Sequence, residues 1–296
     1  MQKFIFLGLI VTLSLQGIEA YKPDVRYYSE GQNHFVITRS FEDQAKRYYL
    51  ATNTHTLQTR IILAESIAPH EDDTHFKTSL FAEVLNHATM QHAKGGEPHA
   101  RTQKPKAVFL TMDMCPSRKS GYESDFIAHL VALNGKTPIA VAISSAWIEH
   151  HLREFEALRS NPLLDITWVN HTHTHFYDKT LSNDKNFMLH VSTDVAHEIL
   201  ALEKTLLEKG IIPSVFFRFP GLIADAKLMK ELRETYVLIP LGADAWIAKH
   251  EEVKEGSFIL IHGNKNEPEG ILMLEHMLPD LLKRYTFEPI HKAFTP

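Results

Sequence analysis

Cysteine is almost absent: Cys115 is the single one in 296 residues. No intrachain disulfide can form, and a zinc finger built on paired cysteines is excluded. An excess of one charge is also missing. The 31 Lys+Arg against 36 Asp+Glu give a formal net charge of −5, with no long basic block, which argues against a nucleic-acid groove or an anionic membrane surface as partner. Glycine and proline number only 13 and 14, so the chain is neither collagenous nor low in complexity. It has no internal repeat, no Gly-x-Ser-x-Gly elbow for a serine hydrolase and no glycine-rich phosphate loop. The composition, 44% hydrophobic and 23% charged, is that of a folded soluble protein. Its length suits one full domain, or a main domain with a small accessory piece. Histidine stands out instead. There are 19, which directs attention to metal-ligand spacing.

The first residues read as a targeting segment. Lys3 precedes an apolar run from Phe4 to Val11 that continues through Leu13 and Leu15 and ends near Gly17-Ile18-Glu19-Ala20. A positive head, a short apolar stretch and a terminal small residue describe a secretory signal peptide over 1–20. The run is shorter than the roughly 20 residues a spanning helix needs, and no other segment is apolar for long enough. The mature chain is therefore expected outside the cytoplasm, periplasmic or secreted, without a membrane span. A lone thiol suits an oxidising compartment.

Residues 21–104 read as an N-terminal accessory region and linker. Short strands are expected over His34–Thr38, Arg47–Leu50 and Leu57–Leu63, then an apolar helix over Phe76–Gln91. A polar stretch with two Gly and two Pro, from His92 to Pro105, reads as an exposed connection. From Lys106 the pattern becomes strand followed by helix. Strands are expected over Ala107–Leu110, Pro138–Ile143, Leu163–Val169, Val215–Phe217, Tyr236–Ile239 and Phe258–Ile261. Helices are expected over Ser124–Leu133, Thr193–Lys209, Ala226–Glu234 and Ile271–Arg284. In the second of these, Val195, Ile199, Leu202 and Leu206 share one face and Gly210 is the stop. Such alternation predicts an α/β domain over 105–296, with parallel strands whose C-terminal ends carry the chemistry. Asp113, His171, Arg218 and His262 each stand just past such a strand.

Asn170-His171-Thr172-His173-Thr174-His175 places three imidazoles within five residues. If the chain turns into helix there, His171 and His175 lie one turn apart on the same face, the spacing that grips one metal ion, and His173 points away. In an extended segment all three would share a face. Asp113 reads as a ligand, a base or a cap for the turn after its strand. Arg218, flanked by Phe217 and Phe219, implies a buried carboxylate partner, because an unpaired buried cation is costly. His262 alone reads as a hydrogen-bonded core histidine. Convergence of four such residues at one end of a sheet would instead make a site.

These segments resemble the polysaccharide deacetylases, the NodB-homology domain of carbohydrate esterase family four. The likeness runs from about Lys106 to Phe294. Thr111-Met112-Asp113-Met114-Cys115-Pro116 aligns with the family's Thr-Phe-Asp-Asp-Gly-Pro, and His171-Thr172-His173-Thr174-His175 with its His-Ser/Thr-x-x-His. Arg218-Phe219-Pro220 matches part of Arg-x-Pro-Tyr, Gly242-Ala243-Asp244-Ala245-Trp246 echoes the Asp/Trp segment, and Ile259-Leu260-Ile261-His262 the Leu-x-x-His segment. The resemblance implies a distorted (β/α) barrel with a small strand-rich extension at its N-terminus. It also implies a divalent metal, most often zinc, held by His171 and His175. Asp113 would be the general base, oriented by Arg218, and His262 the general acid, with Trp246 and Pro220 against the substrate. The expected activity is hydrolysis of a carbon–nitrogen bond, removing acetyl groups from amino sugars of a cell-wall glycan such as peptidoglycan.

The chain departs from that pattern at three places. Met114 stands at the expected Asp ligand, and a thioether is a poor partner for zinc among hard ligands. The metal is then held by two histidines and solvent, by recruitment of Asp113, or by a thiolate from Cys115; otherwise none binds. Gly221 replaces the aromatic of Arg-x-Pro-Tyr, removing a groove wall. The acidic positions of the fourth motif fall on Gly242 and Ala245, leaving Asp244 one register away from the role of tuning His262. A non-catalytic glycan-binding or regulatory protein on the same fold is the alternative expectation.

Overall fold

Strand pairing divides the chain into an antiparallel sheet followed by a larger parallel one. The structure is a computed structural model and describes residues 17–87, 90–91, 94–119 and 121–294. The apolar run over residues 4–15 lies outside them. Glu19 and Ala20 open the first strand, and Ile18 is buried against Phe41, Leu50 and Leu207. Cleavage after Ala20 would thus remove one core side chain. Among the described residues no helix is long and apolar enough to cross a membrane.

The first sheet is a meander of β1 (Glu19–Glu30), β2 (Asn33–Asp43), β3 (Lys46–Asn53) and β4 (Thr59–Leu63). The apolar pattern predicts a first strand only from His34, so β1 is a strand it does not include. That strand contains Pro23 and is mostly half-exposed, as befits an edge, where a missing N–H is tolerated and apolar alternation is weak. The helix expected over Phe76–Gln91 is in fact two, α1 (Thr74–Lys77) and α2 (Leu80–His87), after which Met90–Gln91 (β5) pairs with Lys94–Gly95 (β6). The break falls where Ser79 N–H bonds to Phe76 O while Phe81 N–H bonds to Thr54 O. Tertiary contact there overrides the apolar period. The polar stretch after His92 also does more than connect. Glu97 bonds through both backbone groups to Pro240 and Gly242, and Gly96, at φ +120°, lies so close to Gly242 that a Cβ would stand 2.6 Å from its nitrogen.

The second sheet contains β7 (Ala107–Met114), β8 (Thr137–Ile143), β9 (Leu164–Asn170), β10 (Phe216–Phe217), β11 (Ile239–Pro240), β12 (Ala245–Trp246) and β13 (Phe258–His262). Its order is β11-β10-β9-β8-β7-β13-β12, and every pairing is parallel. A short β14 (Thr286–Phe287) joins β7 at its start. Seven strands form a curled half-barrel that stays open between β11 and β12. All eight residues of β7 are buried, which explains a run without polar alternation. Period-two alternation still sorts its side chains. Val108, Leu110, Met112 and Met114 pack with Phe126 and Leu130 of α3 (Ser124–Asn134) and Leu274 and Leu278 of α8 (Pro268–Arg284). Ala107 and Phe109 pack on the other face with Phe216 and Phe258.

Further helices cover the outside: α4 (Ser145–His150), α5 (Leu152–Arg159), α6 (Val195–Glu208) and α7 (Ala226–Glu234). The α6 helix starts where the Asp194 carboxylate accepts His197 N–H, and Ile199, Leu202 and Leu206 are its buried stripe. A buried ion pair ties the first sheet to α6, beside an apolar cluster that joins Val36 of β2 to Ala107 and Phe109 of β7. Arg39 of β2, 1% exposed, makes a two-pronged bond to Glu203 of α6 at 2.7 and 2.9 Å and also donates to the Thr38 and Tyr236 carbonyls. Tyr21 Oη donates to the same carboxylate at 2.7 Å. Arg39→Met leaves Glu203 charged, buried and without its cation, so a loss of about 3–5 kcal/mol is expected in urea unfolding. A loss under 1 kcal/mol would mean that the pair contributes little beside the apolar cluster joining Val36 to Ala107 and Phe109.

Candidate active site

The C-terminal ends of the parallel strands bring the conspicuous polar residues together, as open α/β sheets do. Asp113 of β7 is paired in register with His262 of β13. Asn170 of β9, next to His171, is paired with Phe217 of β10, next to Arg218. Beyond these ends lies a cleft of about 820 Å³ whose lining includes Asp113, Cys115, His175, Trp246, His262 and Glu267.

Asp113 is almost fully buried. Arg218 Nη1 donates to its Oδ1 at 3.3 Å, and Arg218 Nη2 donates to Thr111 Oγ1 at 3.1 Å. Burial alone would raise the Asp113 pKa, but the Arg218 charge, with help from His171 and His262, holds it below the usual carboxylate value. The buried cation expected for Arg218 therefore has its carboxylate.

The His171–His175 segment is neither helical nor extended. Thr172 and His175 adopt left-handed backbone conformations, at φ +72° and +49°, and fold the two rings to 4.7 Å between centroids. The helical i, i+4 premise is thus replaced by a tight turn with the same outcome. Both sides pin it. Ser145 and Ala146 N–H at the start of α4 donate to the Thr172 and His173 carbonyls, and Glu198 of α6 accepts Thr174 N–H at 2.9 Å and His175 N–H at 3.4 Å. His171 Nδ1 lies 2.8 Å from the Arg218 carbonyl, which fixes the proton there and leaves Nε2 as a free lone pair. Burial pushes His171 below its usual pKa despite Asp113 nearby, favouring the neutral form a metal requires. His173 turns away and packs edge-on against His197 at 4.8 Å. His173→Ala should accordingly retain bound metal, measurable by chelator competition; a loss beyond about tenfold in affinity would place His173 among the ligands.

Alternation along β7 separates the candidate third donors. Met114, fully buried in the helix-covered core, cannot serve, and Cys115 comes next on the side of Asp113. Its Sγ stands 3.5 Å from His171 Nε2, and donor atoms of Cys115, His171 and His175 all lie within 4.8 Å of one another. Burial opposes ionisation of this thiol, but His175 and His262 lower its pKa to about 7. His175 Nε2 is buried with no hydrogen-bond partner. An orphaned buried nitrogen beside a thiol of lowered pKa and a free imidazole lone pair suits a borderline cation such as zinc, which takes Cys and His ligands.

His262 differs from the reading above in its carboxylate partner. Asp244 does not reach it. The Asp244 carboxylate accepts Phe258 N–H at 2.9 Å and Ser257 Oγ–H at 3.3 Å and pairs with His99 at 2.6 Å, so it braces the loop before β13. Glu267, just before α8, takes the tuning place, with Oε2 2.8 Å from His262 Nδ1 and 2.9 Å from Trp246 Nε1. Burial disfavours charge on His262, yet Cys115, Glu267 and Asp113 outweigh it and raise its pKa well above the ordinary value. Four residues of polar loop separate His262 from Glu267, and that spacing carries no periodic signature. Trp246 lines the cleft; Pro220 does not, its place being taken by Gly221 and Leu222.

No family model matches the sequence. Solved structures do. PdaA of Bacillus subtilis, a family 4 carbohydrate esterase, superposes with a TM-score of 0.50 at 14% identity, over 76% of this chain and 90% of that one. This chain has the family 4 carbohydrate esterase fold. Also similar are the catalytic domain of a peptidoglycan N-acetylglucosamine deacetylase from Eubacterium rectale (TM-score 0.47, 15% identity, 68% of this chain and 94% of that one) and a family 4 pseudoenzyme from Bacillus anthracis (0.45, 15%, 65% and 66%). On the family 4 fold, the N-terminal antiparallel sheet sits beside the NodB-type half-barrel.

Proposed function

We propose that the protein is a metal-dependent N-deacetylase acting on acetylated amino sugars of an extracytoplasmic glycan such as peptidoglycan, with zinc held by Cys115, His171 and His175. The observation that carries this reading is a pair of register neighbours at one cleft beside the thiol–imidazole cluster: Asp113 bound by Arg218, which lowers its pKa, and His262 bound by Glu267, which raises its pKa. Titratable groups driven apart in this way mark a base and an acid. Bound zinc would supply Lewis acidity next to the acetamide carbonyl. The remaining work belongs to the chain. Asp113 accepts the proton of the attacking water, and Arg218 keeps its carboxylate charged and oriented. His262 gives a proton to the departing amine nitrogen. Glu267, at Nδ1, leaves Nε2 as the donating atom and holds the Trp246 indole in place.

The pH profile follows in sign. Turnover needs ionised Asp113 and is lost as pH falls through that lowered pKa. It also needs protonated His262 and is lost as pH rises through that raised pKa. Glu267→Gln removes one of the raising contributions, so the alkaline limb of kcat/KM should move to lower pH while the acid limb stays. An unmoved alkaline limb would remove His262 as the acid.

Metal analysis combined with acetate release from N-acetylglucosamine oligomers and from peptidoglycan tests the whole reading. One zinc per chain and released acetate are expected. The missing carboxylate at Met114 favours one competing outcome, a silent glycan-binding protein, and zinc-loaded protein that binds oligomers without releasing acetate would select it. Absence of stoichiometric zinc would sink the metal site.

A further inference from the structure

Gly221 occupies the position where the related motif carries an aromatic side chain, yet the space there is filled. The ring of Phe187 lies against it: a Cβ built on Gly221 would stand 2.7 Å from both Cε2 and Cζ of Phe187. Gly221 is also at φ +61°, a conformation other residues adopt only with strain. The ring therefore reaches this place from a distant segment, between β9 and α6, and excludes any side chain from position 221.

That segment is built to hold the ring there. Phe187 itself has φ +53°, uncommon for a bulky residue. Fully buried Asn186 clamps the loop, its Oδ1 accepting Asp178 and Phe187 N–H, both at 3.0 Å, and its Nδ2 donating to Asp178 O at 2.6 Å. Tyr177, 60% exposed, stacks on Phe187 at 5.3 Å with 23° between planes. The other edge of Phe187 meets His175 at 6.0 Å, nearly perpendicular. Tyr177, Phe187, Gly221 and Leu222 all line the cleft. Backbone strain maintained by a dedicated clamp beside a cleft is a mark of a functional position.

Resting on the proposed glycan substrate, we infer that Tyr177, held in place by the buried ring of Phe187 on which it stacks, is the specificity-determining wall of the cleft and receives the apolar face of a sugar ring. The pyranose C–H face is apolar while its hydroxyls are polar at the rim, and a flat aromatic wall beside a few placed polar groups is complementary to it. The contact of Phe187 with His175 sets this pair of rings next to the thiol–imidazole cluster. An acetamide on the bound sugar then faces Asp113 and His262.

The test is calorimetric titration of the N-acetylglucosamine tetramer into the zinc-loaded full chain. Tyr177→Leu, which keeps bulk but removes the aromatic face, should weaken binding about tenfold, some 1.4 kcal/mol, with zinc stoichiometry intact. Tyr177→Phe should bind like the parent. Gly221→Ala, whose methyl displaces the Phe187 prop, should weaken binding with Tyr177 itself unchanged. Unchanged affinity in Tyr177→Leu overturns the inference, as does loss of zinc in that variant, which would make the ring a structural support of the metal cluster. No tetramer binding by the parent chain overturns it too. Binding that depends on Tyr177 with no acetate release would refute the deacetylase reading and leave this wall standing. Acetate release with binding indifferent to Tyr177 would do the reverse.

Discussion

Replacing His171 and His175 together by Ala should strip the protein of zinc and of acetate release in one step. Both rings belong to the cluster: His171 Nδ1 is committed to the Arg218 carbonyl, and His175 Nε2 is buried without a partner. With both gone, one thiol cannot hold a zinc ion against solvent, because a catalytic site needs three protein ligands. Zinc content after dialysis and turnover on N-acetylglucosamine oligomers should both fall to background. Cys115→Ala separates the remaining options. If Cys115 is the third ligand, zinc affinity falls steeply in that variant as well. If zinc stays tight, Asp113 or solvent completes the sphere. Tight stoichiometric zinc in the double histidine variant would refute the site outright.

Different parts of this arrangement were legible in the sequence to different degrees, for physical reasons. The parallel strands announced themselves because both faces are buried, so Val108-Phe109-Leu110 and Phe258-Ile259-Leu260-Ile261 read as continuous apolar runs. Once those strands are parallel neighbours, residues just past their ends must share one crevice, and Asp113, His171, Arg218 and His262 do. Strand β1 was not legible, since its half-exposed edge shows little alternation. Neither was the turn at His171–His175: a left-handed Thr172 is imposed from outside, by Glu198 and the start of α4. The sequence offers Cys115 as one of several third-ligand candidates, and only the pleat of β7, which buries Met114 and returns Cys115 beside the two histidines, distinguishes it. Glu267 and Phe187 are long-range partners of His262 and Gly221. Local patterns hold no information about such pairs.

Asp113→Asn should keep zinc and lose about 10²–10⁴-fold in turnover, the usual worth of a positioned general base. The substitution preserves shape and leaves Oδ1 to accept from Arg218 Nη1, a bond now at 3.3 Å. What it removes is the proton-accepting charge. It also leaves the Arg218 guanidinium, 1% exposed, without its counter-charge, so the variant is expected to be less stable and must be assayed well below its midpoint. Rate and zinc read together decide the role. Falling rate with constant zinc identifies the base and leaves Cys115, His171 and His175 as the ligand set. Loss of both would mean that Asp113, whose Oδ2 is 3.8 Å from His171 Nε2, is itself a ligand, and another base must be found. Unchanged rate with unchanged zinc would reduce Asp113 to a counter-ion for Arg218, and the mechanism built on it would fall.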